Sequence, residues 1–188
     1  MTKSNSKAEL FDVMGLGPVW ELKNTDNSKP DEAVEPQASS GALPGLDQLR
    51  STVAGCKACG LCETRTQTVF SDGVPHAPLM VVGEAPGAEE DASGLPFVGR
   101  AGQLLDRMLT AVGASRASNV YIANVLKCRP PGNRNPEVAE IEQCSPFVFQ
   151  QIAVSQPKVL LLVGRFAIQT LPGSKKSVGE LRGQLHQV

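Results

Sequence analysis

Apolar positions fall into short runs and helical stripes that alternate along residues 46–171. Residues 46–53 carry apolar side chains at helical spacing. Residues 78–82, Pro-Leu-Met-Val-Val, form a short apolar run and read as a buried strand. A periodic segment at 101–112 predicts a helix, and Gly113 is a good stop for it. Residues 119–125 predict a second buried strand, 137–154 a helix, 157–164 a third buried strand and 166–171 a short helix. Between them, residues 64–70 are polar and β-branched, and Asp72-Gly73 marks a turn. Residues 127–136 hold too much proline for a helix or an inner strand. The remainder to Val188 is polar and ends on what reads as the start of another strand. Alternation of this kind implies a parallel sheet covered on both faces.

The first 45 residues follow a different pattern. Residues 1–14 fit a short amphipathic helix with Leu10, Phe11 and Met14 on one side. Trp20 and Leu22 then sit in a peptide with two readings: a tail packing loosely on the domain, or a recruitment segment for a protein partner. Residues 23–45 are rich in Asn, Ser, Pro and Glu and read as a disordered linker. The expected organisation is thus a tail and linker at 1–45 and one domain at 46–188. Charge divides the same way. Residues 1–40 hold four Lys and seven Asp/Glu, whereas residues 41–188 hold fourteen Lys/Arg and twelve Asp/Glu. The mildly basic domain permits nucleic-acid binding without demanding it. No apolar run approaches the roughly 18 residues of a membrane span, and no apolar signal core opens the chain. A cytoplasmic monomer without membrane contact is the expectation.

The chemistry gathers around the turn after the first strand, Gly83-Glu84-Ala85-Pro86-Gly87-Ala88-Glu89-Glu90-Asp91, followed by Gly94-Leu95-Pro96-Phe97-Val98-Gly99. A glycine-rich turn at the carboxyl end of a strand is where open α/β sheets place ligands. Its acids disfavour a phosphate. They suit a neutral hydrogen-bonding ligand, or positive charge developing in a transition state. Cysteine supplies a second focus. Cys56, Cys59, Cys128 and Cys144 form the pattern C-x2-C…C-x15-C, and Cys62 adds a fifth thiol. Four thiolates suit tetrahedral zinc or an iron–sulfur cluster by ligand type. The spacing departs from common zinc ribbons and tilts the reading towards iron–sulfur. Cys62 competes for a ligand role on spacing alone.

These residues together resemble the family 4 uracil-DNA glycosylases. The resemblance covers about residues 46–186. It rests on Gly83-Glu84-Ala85-Pro86-Gly87, on Gly94-Leu95-Pro96-Phe97-Val98-Gly99-Arg100-Ala101-Gly102, on Tyr121-Ile122-Ala123-Asn124-Val125 before Lys127-Cys128-Arg129-Pro130-Pro131, and on the four-cysteine spacing. It implies a three-layer α/β/α fold with a central, mostly parallel four-stranded sheet. It also implies removal of uracil from DNA by hydrolysis of the base–sugar bond, in base excision repair. By the same resemblance, Cys56, Cys59, Cys128 and Cys144 would hold a structural 4Fe–4S cluster, with Cys62 a bystander. Uracil inside a duplex must be flipped out to be reached. Phe97 would stack on it, Asn124 would read its O4 and N3–H edge, and backbone N–H groups around Ala85 would meet its oxygens. Glu84 and Glu90 are the candidate carboxylates beside the sugar, with Glu84 the better placed. Glu89 and Asp91 read as a solvated start to a helix or loop, and Tyr121 as core. Arg100, Lys127, Arg129 and Arg134 are candidate phosphate contacts.

The family's His-Pro segment and leucine-bearing loop lie beyond the end of this chain, and neither His76 nor His186 matches them. The expectation is a truncated chain lacking the last strand, with weak or absent catalysis. Two further classes compete with a repair enzyme: a non-catalytic iron–sulfur DNA-binding protein, and a zinc- or cluster-binding electron-transfer module. Retained cleavage of uracil-containing DNA separates the first from the second. A reversible redox change without base release would mark the third.

Overall fold

A computed structural model of the protein describes residues 45–183 and 185–186. They fall in one unit, Ala42–Val188. The amphipathic helix at 1–14, the Trp20 peptide and the linker up to residue 44 lie outside the described residues.

Four strands, β1 (Asp72–Gly73), β2 (Leu79–Gly83), β3 (Val120–Asn124) and β4 (Val159–Leu162), form one sheet in the order β1-β3-β2-β4. Strands β2 and β3 run parallel at its centre, with Leu79 opposite Val120 and Gly83 opposite Asn124. Their apolar runs are buried because both faces are covered. Met80, Val82, Tyr121 and Ala123 face one layer with Val148, Ala167 and Leu171. Val81, Val120 and Ile122 face the other with Leu105 and Leu109. The period of two along each strand sends neighbouring side chains to opposite sides. The helices are α1 (Leu46–Ala54), α2 (Ala88–Ser93), α3 (Arg100–Ala111), α4 (Val138–Ser155), α5 (Arg165–Thr170) and α6 (Val178–Leu181). Helix α3 covers the Val81 face, while α4 and α5 cover the Met80 face, giving the expected three-layer α/β/α arrangement. No helix among the described residues is long and apolar enough to cross a membrane.

Two expectations need correction. Asp72-Gly73 is not a free turn but β1, a two-residue strand antiparallel to β3. Gly73 takes φ 97°, and a Cβ there would stand 2.2 Å from the Val120 carbonyl oxygen, so glycine permits this close pairing. The run at 157–164 gives β4 (Val159–Leu162), parallel to β2 but not buried. Leu160 and Leu162 pack on the Met80 face. Val159 and Leu161 point to the Val81 side, where α3 sits over β2 and β3, and remain 54% and 43% exposed. The chain end on which a strand start is expected includes residues 184, 187 and 188, which lie outside the described residues.

The first turn of α3 is fitted against the loop before it. A Cβ on Gly102 would lie 1.8 Å from the Phe97 carbonyl oxygen and 2.1 Å from its carbon. Relief requires moving backbone, not a flexible side chain. Gly102→Ala should therefore lower stability by about 1–3 kcal/mol despite alanine's better helix propensity, a loss read as a fall in Tm.

Candidate active site and thiol cavity

The parallel pair β2–β3 ends at Gly83 and Asn124, side by side, and the backbone ladder continues beyond them. Val125 N–H donates to Gly83 O (2.9 Å) and Leu126 N–H to Glu84 O (3.0 Å). This fixes the Glu84 and Asn124 backbones beside each other at the carboxyl edge of the sheet, where α/β folds bind ligands. A Cβ on Gly83 would stand 2.4 Å from Asn124 Oδ1 and 2.5 Å from Phe97 Cζ. The missing side chain thus lets an aromatic ring and an amide meet over one glycine. Asn124 is 2% exposed, and its Oδ1 is one of two buried side-chain polar atoms without a hydrogen-bond partner among the described residues. An unpaired buried acceptor costs stability, and such costs collect at functional sites.

The acids of the turn divide by environment. Burial holds the Glu84 carboxyl above the ordinary carboxylate range, with Arg165 pulling it back. Glu90 is engaged within the loop. Its Oε2 accepts from Gly87 N–H (3.0 Å), and its Oε1 accepts from Val98 N–H (3.0 Å) and Gly99 N–H (2.9 Å). Asp91 departs from the solvated expectation: it is buried and accepts from Thr66 N–H at 3.0 Å. Glu89 is exposed, as expected. Tyr121 is core, and its hydroxyl accepts from Gln151 Nε2 at 3.2 Å.

Ala85, half-buried, packs with Leu61, Leu126, Cys128 and Cys144, and so joins this edge to the second site. All five cysteines line one cavity together with Val53, Arg65, Lys127 and Phe147. They come from the segment after α1, the stretch after β3 and the second turn of α4. Among the described residues no three acidic, histidine or cysteine side chains converge closely enough to hold a single ion, so the thiols ring a cavity instead. Donors already face the sulfurs. Arg65 Nη1 lies 3.0 Å from Cys128 Sγ, and Lys127 N–H donates to Cys144 Sγ at 3.2 Å. Burial pushes the Cys144 thiol up to about 11, against the Lys127 charge. It raises Cys128 too, against Arg65.

The candidate phosphate contacts separate as well. Arg100 is exposed at the start of α3. Arg129 is half-buried, with Nε donating to Asn133 Oδ1 at 2.7 Å. Arg134 grips Glu140 with both terminal nitrogens (2.9 and 2.6 Å) and lies 3.2 Å from Glu137, which ties the loop to the first turn of α4. Those bonds from Arg134 hold the Glu140 carboxyl below its usual range. Lys127 requires a correction, because it is 1% exposed and cannot meet DNA. Its Nζ donates to Asn124 O (2.6 Å) and Gln151 Oε1 (2.5 Å), and burial lowers its pKa to about 8. A charge this deep persists only with such partners.

Residues 70–187 match the family described as the uracil DNA glycosylase superfamily. The chain belongs to this superfamily. Its relatives include type-4 uracil-DNA glycosylases from Sulfurisphaera tokodaii (40% identical over 146 residues, 76% of this chain), Archaeoglobus fulgidus (44% over 127 residues, 68% of this chain) and Thermotoga maritima (43% over 139 residues, 73% of this chain). The aligned parts span 66%, 63% and 72% of those proteins' own lengths, so the chain covers about two thirds of the relatives it matches.

Within this uracil-DNA glycosylase superfamily chain, sequence reasoning passed over three polar residues that organise the sites. Arg65 faces the thiol cavity and also donates to Cys56 O at 2.8 Å. Gln151 bridges Lys127, Tyr121 and the Phe70 carbonyl from inside α4. Arg116 binds the backbone at Pro96 and Phe97 from the loop before β3. Gln151 left a trace: a polar residue on the buried stripe of α4, seven positions after Cys144. Arg65 and Arg116 look like ordinary loop cations in the sequence.

Proposed function

We propose that this chain hydrolyses the bond between uracil and deoxyribose in DNA. The observation that carries the reading is the unpartnered Asn124 Oδ1 beside the Phe97 ring, over the bare Cα of Gly83. Uracil flipped from the stack offers a flat face to Phe97 and an N3–H to that oxygen. Backbone N–H groups around Ala85 supply donors for the base oxygens. As the bond between C1′ and N1 breaks, its electron pair goes to the base and positive charge develops on the sugar. Water then delivers hydroxide to C1′ and a proton to the departing base. Glu84, half-buried just beyond the carboxyl end of β2, is the carboxylate that stabilises the sugar cation and orients water. Glu90, with both oxygens held by backbone N–H groups, is assigned to positioning the Phe97 loop. Arg100 and Arg129 remain the proposed phosphate contacts.

The four thiols suit zinc or an iron–sulfur cluster by ligand type. The cysteine spacing, unlike that of common zinc ribbons, and the N–H donors already facing two sulfurs support the cluster reading. Cys56, Cys59, Cys128 and Cys144 are proposed to hold a 4Fe–4S cluster, which would tie three chain segments together and contribute to folding.

The test incubates cluster-loaded protein with a uracil-bearing oligonucleotide and scores alkali-labile breaks against a thymine control. Breaks confined to the uracil strand are expected, and equal signal from both strands would sink the proposal. The pH profile tests Glu84. Its ionised form is required and its pKa is raised, so kcat/KM should fall with acidification through a pH above the ordinary carboxylate range. Glu84→Gln should lower the rate on the order of 10²-fold and abolish that limb. Survival of the limb in the variant would assign it to another group.

A further inference from the structure

Phe97 has φ 54°, a backbone conformation that bulky residues seldom adopt. Such strain persists only where the surroundings over-determine it. Two contacts do so here. From below, Gly102 leaves no room between α3 and the Phe97 carbonyl. From the side, one guanidinium takes both carbonyls of the turn. Arg116 Nη1 donates to Pro96 O (3.1 Å) and Nη2 to Phe97 O (2.9 Å). The same group is anchored behind by two carboxylates from different elements. Nη1 lies 2.7 Å from Asp72 Oδ2 on β1, and Nε and Nη2 lie 3.0 and 2.8 Å from Asp106 Oδ1 on α3. These five contacts use the fixed fork of donors that arginine alone provides.

We infer that Arg116 is a positioning residue for base recognition: by clamping the Pro96–Phe97 carbonyls between β1 and α3, it aims the Phe97 ring across Gly83 towards Asn124. It acts on the reaction only through that ring, and its effect on uracil rests on the function proposed above. Loss of the clamp frees the turn to relax to negative φ, carrying the ring out of the stacking plane. A misplacement on the order of 1 Å is enough to cost roughly a hundredfold in kcat/KM.

The experiment places para-fluorophenylalanine at position 97 and follows its fluorine resonance. The parent protein should give one sharp line that moves on titration with free uracil. In Arg116→Gln the line should shift or broaden before any uracil is added, and the uracil titration should weaken at least tenfold. Arg116→Lys, which keeps the charge but not the fork, should resemble Arg116→Gln. Should Arg116→Gln fail to fold, Asp106→Asn loosens the same anchor and should perturb the same line in a folded protein. With Phe97→Ala as background, adding Arg116→Gln should cost little further activity. An unchanged fluorine line in folded Arg116 and Asp106 variants overturns the clamp, whatever happens to Tm. A line that responds to Arg116→Gln, with no response to uracil even in the parent, upholds the clamp and refutes the uracil reading instead.

Discussion

Asn124→Ala will lower kcat/KM for uracil release by about 10²–10³-fold, the loss that follows removal of one well-placed polar group at a reacting centre. Stability should not follow activity. Asn124 Oδ1 has no partner among the described residues, so its removal forfeits no hydrogen bond there and lifts a desolvation cost of about 1–3 kcal/mol. The small cavity left over Gly83 offsets part of that gain. A variant that loses base release while keeping its Tm within a few degrees would identify the amide as a reader of substrate. A large fall in Tm would show that Asn124 holds the sheet edge together instead. Asn124→Asp sharpens the point. An ionised carboxylate accepts hydrogen bonds but donates none. It should therefore narrow the uracil-to-cytosine rate ratio by favouring cytosine's amino group, measured on paired oligonucleotides.

Lys127→Met will have the largest effect on stability. The ammonium is the shared donor to Asn124 O and Gln151 Oε1 in a region closed to solvent. Methionine matches its length but leaves both acceptors unpaired, at about 1–3 kcal/mol each. For a domain of this size, Tm should fall on the order of 10 °C. Activity should fall as well, because the backbone carbonyl released is that of Asn124. The double variant Lys127→Met, Gln151→Leu separates a network from two independent contacts. Gln151→Leu also takes the donor from Phe70 O and from the Tyr121 hydroxyl. The double variant should therefore be less stable than Lys127→Met alone yet lose less than the sum of the two single losses, because the bond between Lys127 and Gln151 can be lost only once. A double variant as unstable as the sum of the singles would show that the two residues do not act as a unit.

The parts of this molecule legible in the sequence are those where one physical rule acts alone. Strands β2 and β3 are apolar because both faces are covered, and the pattern states it. The run of β4 looks the same, yet whether Val159 and Leu161 find a cover depends on how far α3 reaches across the sheet, which no local pattern encodes. The spacing of the cysteines was enough to expect that they meet, and all five do line one cavity. Glu84 and Glu90 carry identical chemistry six residues apart. Gly87 N–H reaches Glu90 locally, and the return of the chain at Val98 and Gly99 adds two more backbone donors that Glu84 does not meet among the described residues. Lys127 misled because a lysine in a proline-rich stretch suggests surface. Residues 125–128 are all buried, and the side chain turns inward to a carbonyl and an amide that sequence cannot place.

The thiol cavity also has a history in time. Cys56, Cys59 and Cys62 share one short stretch and are neighbours from the moment the chain is made. Cys128 joins them only after β3 has found β2, and Cys144 only after α4 has docked on the sheet. Non-local encounters of this kind come late, because a long loop must close before any contact rewards it. If the proposed cluster fills this cavity, an unfolded chain would offer it only the local thiols, and the complete ligand set would form only as β3 and α4 dock.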